Sequence, residues 1–399
     1  MRGTMPDYLL EAQSLIEYTR RLRRDFHMHP ELGYQEVRTA GIVARELSEL
    51  GLEVTTGIAK TGVVGMLEGG GLGPVVLLRF DMDALPITEQ TGAEYASQNP
   101  GVMHACGHDG HTAVGLTVAR LLHAHAAELA GTVKLVFQPA EEGLRGAELM
   151  VKEGVLENPR PDLTLAMHVW NEQPTGWLGV APGPVMAAAE IFKVIITGKG
   201  GHGASPHLAV DPVVAAAQVI TALQSIPARN VSPLKTSVIS VTMLHTGEAF
   251  NVIPMSAELT GTIRTFEPGV RQVVLERFHQ VIAGVSQAMG CQAEIEVTSI
   301  TPPVINDPLI SQRVRAVAER VLPDNPVHSD YATMGSEDMA FMMQQVPGCF
   351  FFVGSADSQR GLDAPHHHPR FDIDESALTR GAALMAAAAA DFLTPSSHG

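Results

Sequence analysis

The sequence predicts an α/β protein of two domains, one inserted into the other. Three observations lead there. At 399 residues the chain exceeds what one ordinary core holds. Apolar strands alternate with amphipathic helices, and polar residues gather where strands end, the pattern of an open sheet with a site along one edge. From about residue 187 to the Pro302-Pro303 pair the elements read β-α-β-β-α-β, a ferredoxin-like split βαβ unit. The expected division is a first domain from residues 1–186 and 301–399, with an α+β domain at 187–300 between its two parts.

In chain order, residues 8–27 carry Leu9, Leu10, Leu15, Ile16 and Leu22 at helical spacing, and 35–50 read as a second helix ending at Gly51. Val63–Leu67 and Val75–Phe80 are short apolar runs around a Gly cluster at 69–73, which suggests a hairpin. An Ala- and Leu-rich helix is expected at 112–129, and strands at Val133–Phe137 and Leu163–Met167. The insert reads as strand 190–197, helix 211–226, strands 236–244 and 256–265, helix 268–289 and strand 291–299. Helix 306–322, strand Cys349–Val353 and helix 376–393 then complete the first domain. The alanine run 382–390 is too short to span a membrane and reads as a buried helix.

Composition narrows the function. Hydrophobic content of 45% and charged content of 18% describe a globular chain. With 27 basic and 43 acidic residues the net charge is −16, which argues against a nucleic-acid partner. Three cysteines do not make a disulfide framework, and no apolar leader or membrane span is evident, so a soluble cytoplasmic protein is expected.

Chemistry concentrates in residues 102–111, Val-Met-His-Ala-Cys-Gly-His-Asp-Gly-His. On extended backbone, His104, Cys106 and His108 would face one point. A thiolate among imidazoles suits zinc and other first-row metals. A polar loop with an incidental cysteine is the alternative. Glu141 and Glu142 leave a strand together and cannot point the same way. One can ligate a metal while the other acts as a base toward water; two solvated carboxylates are the plainer option. Asp81 and Asp83 share a side after another strand, so one could orient a ligand imidazole. His168 ends a strand, and His366-His367-His368-Pro369 offers one ligand or a solvated loop. In the insert, the glycine-rich stretch 198–207 lacks the order of a phosphate-binding loop and more naturally presents His202. Asn251 and Arg264 lie in or beside strands; the arginine could clamp a carboxylate or form an edge-strand ion pair.

Together these motifs resemble the aminoacylase-type dinuclear metallopeptidase superfamily, specifically its hippurate hydrolase and auxin-conjugate amidohydrolase branch. The resemblance rests on Arg24–Leu32, Asp81-Met82-Asp83-Ala84-Leu85-Pro86, Met103–His111, Gln138-Pro139-Ala140-Glu141-Glu142-Gly143, Met167-His168, Gly200–Pro206, Phe250-Asn251-Val252-Ile253-Pro254, Gly335-Ser336-Glu337-Asp338 and His367-His368-Pro369, in the family's order. It implies a zinc-peptidase-like catalytic domain with a mixed sheet, and an inserted α+β dimerisation domain that makes a homodimer or homotetramer. It implies two divalent metal ions (Mn, Zn, Co or Ni). Cys106 would bridge them, His108 and His168 would complete one ion, and Glu142 and His367 the other. Glu141 would be the general base and acid, and Asp83 would support the ligands. His202 would stabilise the oxyanion in the partner's active site, with Asn251 and Arg264 holding substrate. The implied reaction is hydrolysis of an N-acyl amino acid; a dipeptidase or carboxypeptidase is the neighbouring alternative. Two rivals remain at this point: a thiol hydrolase with Cys106 as nucleophile, and a non-catalytic relative that binds a metal or a small acid.

Overall fold

The computed structural model describes residues 6–394. The chain forms two compact units, one of Met1–Val185, Ile305–Ala332 and Asp338–Gly399, the other of Met186–Val304 and Thr333–Glu337.

The first unit holds a mixed sheet. Its strand order is Glu53–Ile58, Gly62–Glu68, Ala130–Gln138, Gly71–Asp81, Leu163–Pro174, Gly348–Ala356, Leu178–Gly179 and Val327–His328. The four strands from Ala130–Gln138 to Gly348–Ala356 are parallel, so their C-terminal ends line one edge. The helices His108–Ala124 and Ser376–Leu393 pack on this sheet and on each other. Their sequences suit the place. Ala382–Ala390 is at most 2% exposed, and its short side chains let the helix sit close to its neighbours.

The second unit is an antiparallel sheet in the order Ser237–Thr246, Ser256–Thr265, Ala188–Thr197 and Gln292–Thr301. Numbered along the chain this is 2-3-1-4, the ferredoxin-like order. Phe192, Val194 and Ile196 alternate inward and meet Val219, Leu223, Phe278 and Ile282 of the helices Pro212–Leu223 and Pro268–Ala288. Asp211 caps the first of these helices, its Oδ1 accepting from the Val213 N–H at 2.8 Å just past Pro212.

Three local expectations change. The glycines at 69–73 do not turn a hairpin, because Ala130–Gln138 lies between the strands they join. The chain there crosses the start of that strand. A Cβ on Gly70 would come within 2.3 Å of the Ala127 carbonyl oxygen, and one on Gly73 within 2.4 Å of that of Ala130. These glycines therefore serve close backbone approach. The helix over 8–27 is interrupted at Leu15, giving Tyr8–Ser14 and Ile16–Met28. The helix expected at 112 begins at His108. Gly107, at φ +95°, turns the chain into it, and a Cβ there would meet Val169 Cγ2 at 2.4 Å.

Candidate metal centre

The parallel strands bring the chemistry together at their C-terminal edge. Asp81 ends one strand, Glu141 and Glu142 follow another, and His168 lies within a third, paired with Phe352. Cys106 sits just before the helix that carries His108 and His111 in its first turn.

Ligand atoms of Cys106, His108 and His168 lie within 4.8 Å of one another, as do those of Cys106, Glu142 and His367. Cys106 is common to both groups. Two further groups overlap the first, Asp81–His108–His111 and His108–Glu141–Glu142. Hydrogen bonds decide which atoms are available. The His108 Nδ1–H faces the Asp83 carbonyl oxygen at 2.9 Å, which leaves a buried Nε2 without a hydrogen-bond partner. The His168 Nδ1–H faces the Val169 carbonyl, so its Nε2 lone pair is turned to Cys106 Sγ at 3.5 Å. Glu142 Oε1 is also buried without a hydrogen bond, with His367 Nε2 at 3.3 Å. Buried, unsatisfied nitrogens and oxygens around a shared sulfur fit a pair of divalent ions. His111 is different. Its Nε2 accepts the Val169 N–H at 2.9 Å and its Nδ1–H donates to Asp81 at 2.6 Å, so neither nitrogen is open.

Burial alone would lower the His108 imidazole, yet Asp81 and the Cys106 sulfur beside it raise it well above its ordinary value. The neighbouring Cys106 sulfur and then the Glu142 carboxylate push His367 up to about 10. Burial, and then Glu142, push the Cys106 thiol up. A cation binding at these donors would compete with protons for them. Burial among other imidazoles drives His168 down, and His366 down to about 3.

Asp83 bridges the two donor groups. Its carbonyl fixes His108, and its Oδ2 accepts the Glu142 N–H at 2.9 Å. Glu141 Oε1 accepts from the Asp338 N–H at 3.4 Å. Two residues with left-handed backbone shape these loops, Ala140 at φ 55° and His367 at φ 65°. Each such turn costs about 1–3 kcal/mol. The Ala140 N–H is held by Glu36 at 2.9 Å, and the His367 N–H by the Ala105 carbonyl at 2.8 Å. Of the histidine run, His367 alone joins Cys106 and Glu142. His366 turns toward Asn171, and His368 Nδ1 accepts the Arg370 N–H. His104 stands apart. It is buried beside His27, with both ring nitrogens unpaired, and burial pulls it down to about 4.

Several supporting residues escape a reading of motifs. Buried Arg79 reaches Asp81 at 2.7 Å, Gln138 at 2.7 Å and Asp338 at 3.3 Å, tying two strand ends to the residue beside Glu141. A charge inside the apolar run Val75–Phe80 was its signal. Arg23, also fully buried, bonds Asp109 at 2.8 Å and Asp372 at 2.6 Å.

In the second unit, Gly201–His202 pairs antiparallel with Val252–Ile253. His202 is exposed, and its Nδ1 accepts the Ala204 N–H at 3.0 Å, which puts the proton of the neutral ring on Nε2. Asn251 lies close by, its carbonyl accepting the Gly203 N–H at 2.8 Å. Arg264 lies on the sheet strand Ser256–Thr265, where its Nε donates to Thr262 Oγ1 at 3.1 Å.

Among the described residues no helix is long and apolar enough to cross a membrane. Comparison with known proteins agrees with the site. Residues 77–391 match peptidase family M20/M25/M40. The chain is 42% identical to the N-acetylcysteine deacetylase of Bacillus subtilis (strain 168) over 90% of this chain and 92% of that one. It is 40% identical to an IAA-amino acid hydrolase of Arabidopsis thaliana over 96% of this chain and 88% of that one. The crystal structure of the Bacillus subtilis YXEP protein, described as a dinuclear metal-binding peptidase, superposes with a TM-score of 0.83 at 36% identity, covering 96% of this chain and all of that one, 100%. The chain belongs to peptidase family M20/M25/M40 and is a metal-dependent amidohydrolase of that family.

Proposed function

We propose that the protein hydrolyses the amide bond of N-acyl amino acids, releasing a carboxylic acid and a free amino acid. The observation that carries this reading is the shared sulfur: one cysteine joins a buried pair of histidines to the partly buried Glu142 and the exposed His367, with a second glutamate beside them. In this reading Cys106, His108 and His168 hold one divalent ion, and Cys106, Glu142 and His367 the other, as Mn, Zn, Co or Ni. When bound, divalent ions held by these residues would supply Lewis acidity to the amide carbonyl and to water. Glu141 takes the proton of the attacking water and returns it to the leaving nitrogen. Asp83 keeps His108 and Glu142 in place. His202 offers its Nε2–H to the developing oxyanion in the active site of the partner subunit, a contribution of about 2.7–4 kcal/mol in comparable sites. The native assembly is a homodimer or homotetramer joined through the inserted domain at 187–300.

Substrate class follows from Arg264 and Asn251. Arg264 is half-buried on an interior strand of its sheet, paired with Val238 on one side and Ala189 on the other, with its Nε tied to Thr262; its remaining guanidinium N–H groups suit a grip on a carboxylate. The test compares an N-acyl amino acid with the matched N-acyl amine that lacks the α-carboxylate. The amine should lose about 10–100-fold in kcat/KM, the worth of one hydrogen bond to a charged group. Arg264→Ala should bring the two substrates close together. Equal specificity constants in the unaltered enzyme would remove the carboxylate from the reading. Faster cleavage of small dipeptides than of any acyl amino acid would favour a dipeptidase or carboxypeptidase at the same centre.

A further inference from the structure

The histidine run holds more than a ligand. We propose that His366 is a positioning residue that donates its Nδ1–H to the Cys106 sulfur and thereby sets how strongly that sulfur donates to the metals. This rests on the reading of Cys106 as a bridging ligand.

The tautomer comes from geometry. The backbone N–H of Asn171 points at His366 Nε2 from 3.1 Å. An amide N–H only donates, so Nε2 carries no proton. The ring is therefore neutral, with its hydrogen on Nδ1. That nitrogen lies 3.7 Å from Cys106 Sγ, within reach of a hydrogen bond to sulfur. His108 and His168 do not compete for this role, since each has its proton on Nδ1, facing a backbone carbonyl.

The ring is held for the purpose. It packs on Trp170 with centroids 4.8 Å apart and on Phe371 at 5.0 Å. Asn171 fixes the loop on both sides of the run. Its Nδ2 donates to the carbonyls of Ala364 at 2.8 Å and Asp372 at 3.0 Å, while its Oδ1 accepts from Ser355 Oγ at 3.0 Å. A hydrogen bond to a ligand sulfur draws charge from it and leaves the metals more electrophilic. The adjacent histidines thus divide their work, His367 as a ligand in the donor group with Cys106 and Glu142, and His366 as a hydrogen-bond donor to the sulfur.

The experiment loads the full-length protein with Co²⁺ and records the sulfur-to-cobalt charge-transfer band, the number of bound ions and the melting temperature. His366→Phe and His366→Leu both remove the donor, and His366→Gln restores one. With two ions bound in each, the band should move to lower energy in the Phe and Leu variants and return toward its original position in the Gln variant. Turnover should fall about 10–100-fold without the donor. A merely structural role would lower the melting temperature and leave the band unmoved. An unmoved band in both donor-less variants overturns the inference and leaves the two-ion reading standing. Absence of any such band in the unaltered protein overturns Cys106 as a ligand, and this inference with it.

Discussion

Glu141→Gln should lower kcat by about 10²–10⁴-fold, the usual contribution of a positioned acid–base group. The amide is nearly the same size and can still accept from the Asp338 N–H at Glu141's place, so the fold should hold. Metal content should also hold, because Glu141 stands outside the two donor groups that share Cys106. What disappears is a carboxylate able to take a proton from water and pass it to nitrogen. Glu142→Gln should differ in kind. Glu142 belongs to one of those donor groups, so its loss should reduce the ions bound per chain. Steady-state kinetics with metal analysis of both variants separates the roles. A Glu141→Gln enzyme retaining more than a tenth of kcat would contradict the assignment of the base.

Asp109→Asn should destabilise the protein by about 3–5 kcal/mol, the cost of removing one partner from a buried ion pair. Asp109 is fully buried and bonds Arg23 at 2.8 Å and His27 at 2.7 Å. The loss should fall toward the lower end, because Arg23 keeps Asp372 at 2.6 Å. The effect carries a pH signature. Burial would raise the Asp109 carboxyl, but Arg23 and His27 outweigh it and hold it far below the usual range. A depressed carboxyl adds stability above its unfolded value of about 3.9 and loses it as the pH falls through the folded value. The gap between parent and variant should be full near neutral pH and narrow only below about pH 4. Denaturant unfolding across that range checks it. A gap that is constant down to strong acid would mean the carboxylate's charge is not what matters. Because Asp109 sits in the first helical turn beside His108, the variant should also bind metal more weakly.

Much of this architecture is legible in the sequence for a physical reason. The insert's strands alternate apolar and polar residues, and its helices carry a single apolar face, so period alone yields their order. The cluster at 104–111 advertises metal chemistry because cysteine and histidine rarely crowd together otherwise. Spacing cannot say how that cluster is divided. It treats His104, Cys106 and His108 as equivalent on extended backbone. The left-handed Gly107 starts a helix instead and leaves His104 away from the shared sulfur. The three consecutive histidines look alike in sequence. Only the backbone turn at His367 and the Asn171 amide distinguish them. The glycines at 69–73 misled for a similar reason. Glycine marks both tight turns and close crossings, and the strand that comes between lies some 60 residues further along the chain. Arg79 and Arg23 act through buried contacts with residues distant in sequence, which no local pattern displays; Asp338 lies in a quoted motif, but its ties to Arg79 and Gln138 appear only in the fold.

The account stands most directly on metal-restored turnover. Metal-stripped protein would be assayed for free amino acid released from acetyl, benzoyl and indole-acetyl amino acids, with and without Mn²⁺ or Zn²⁺, and after alkylation of its thiols in the metal-loaded state. The account predicts no activity in the stripped protein and recovery as two ions bind per chain. Activity that survives full metal removal but is lost on alkylation would make Cys106 a nucleophile and contradict the account.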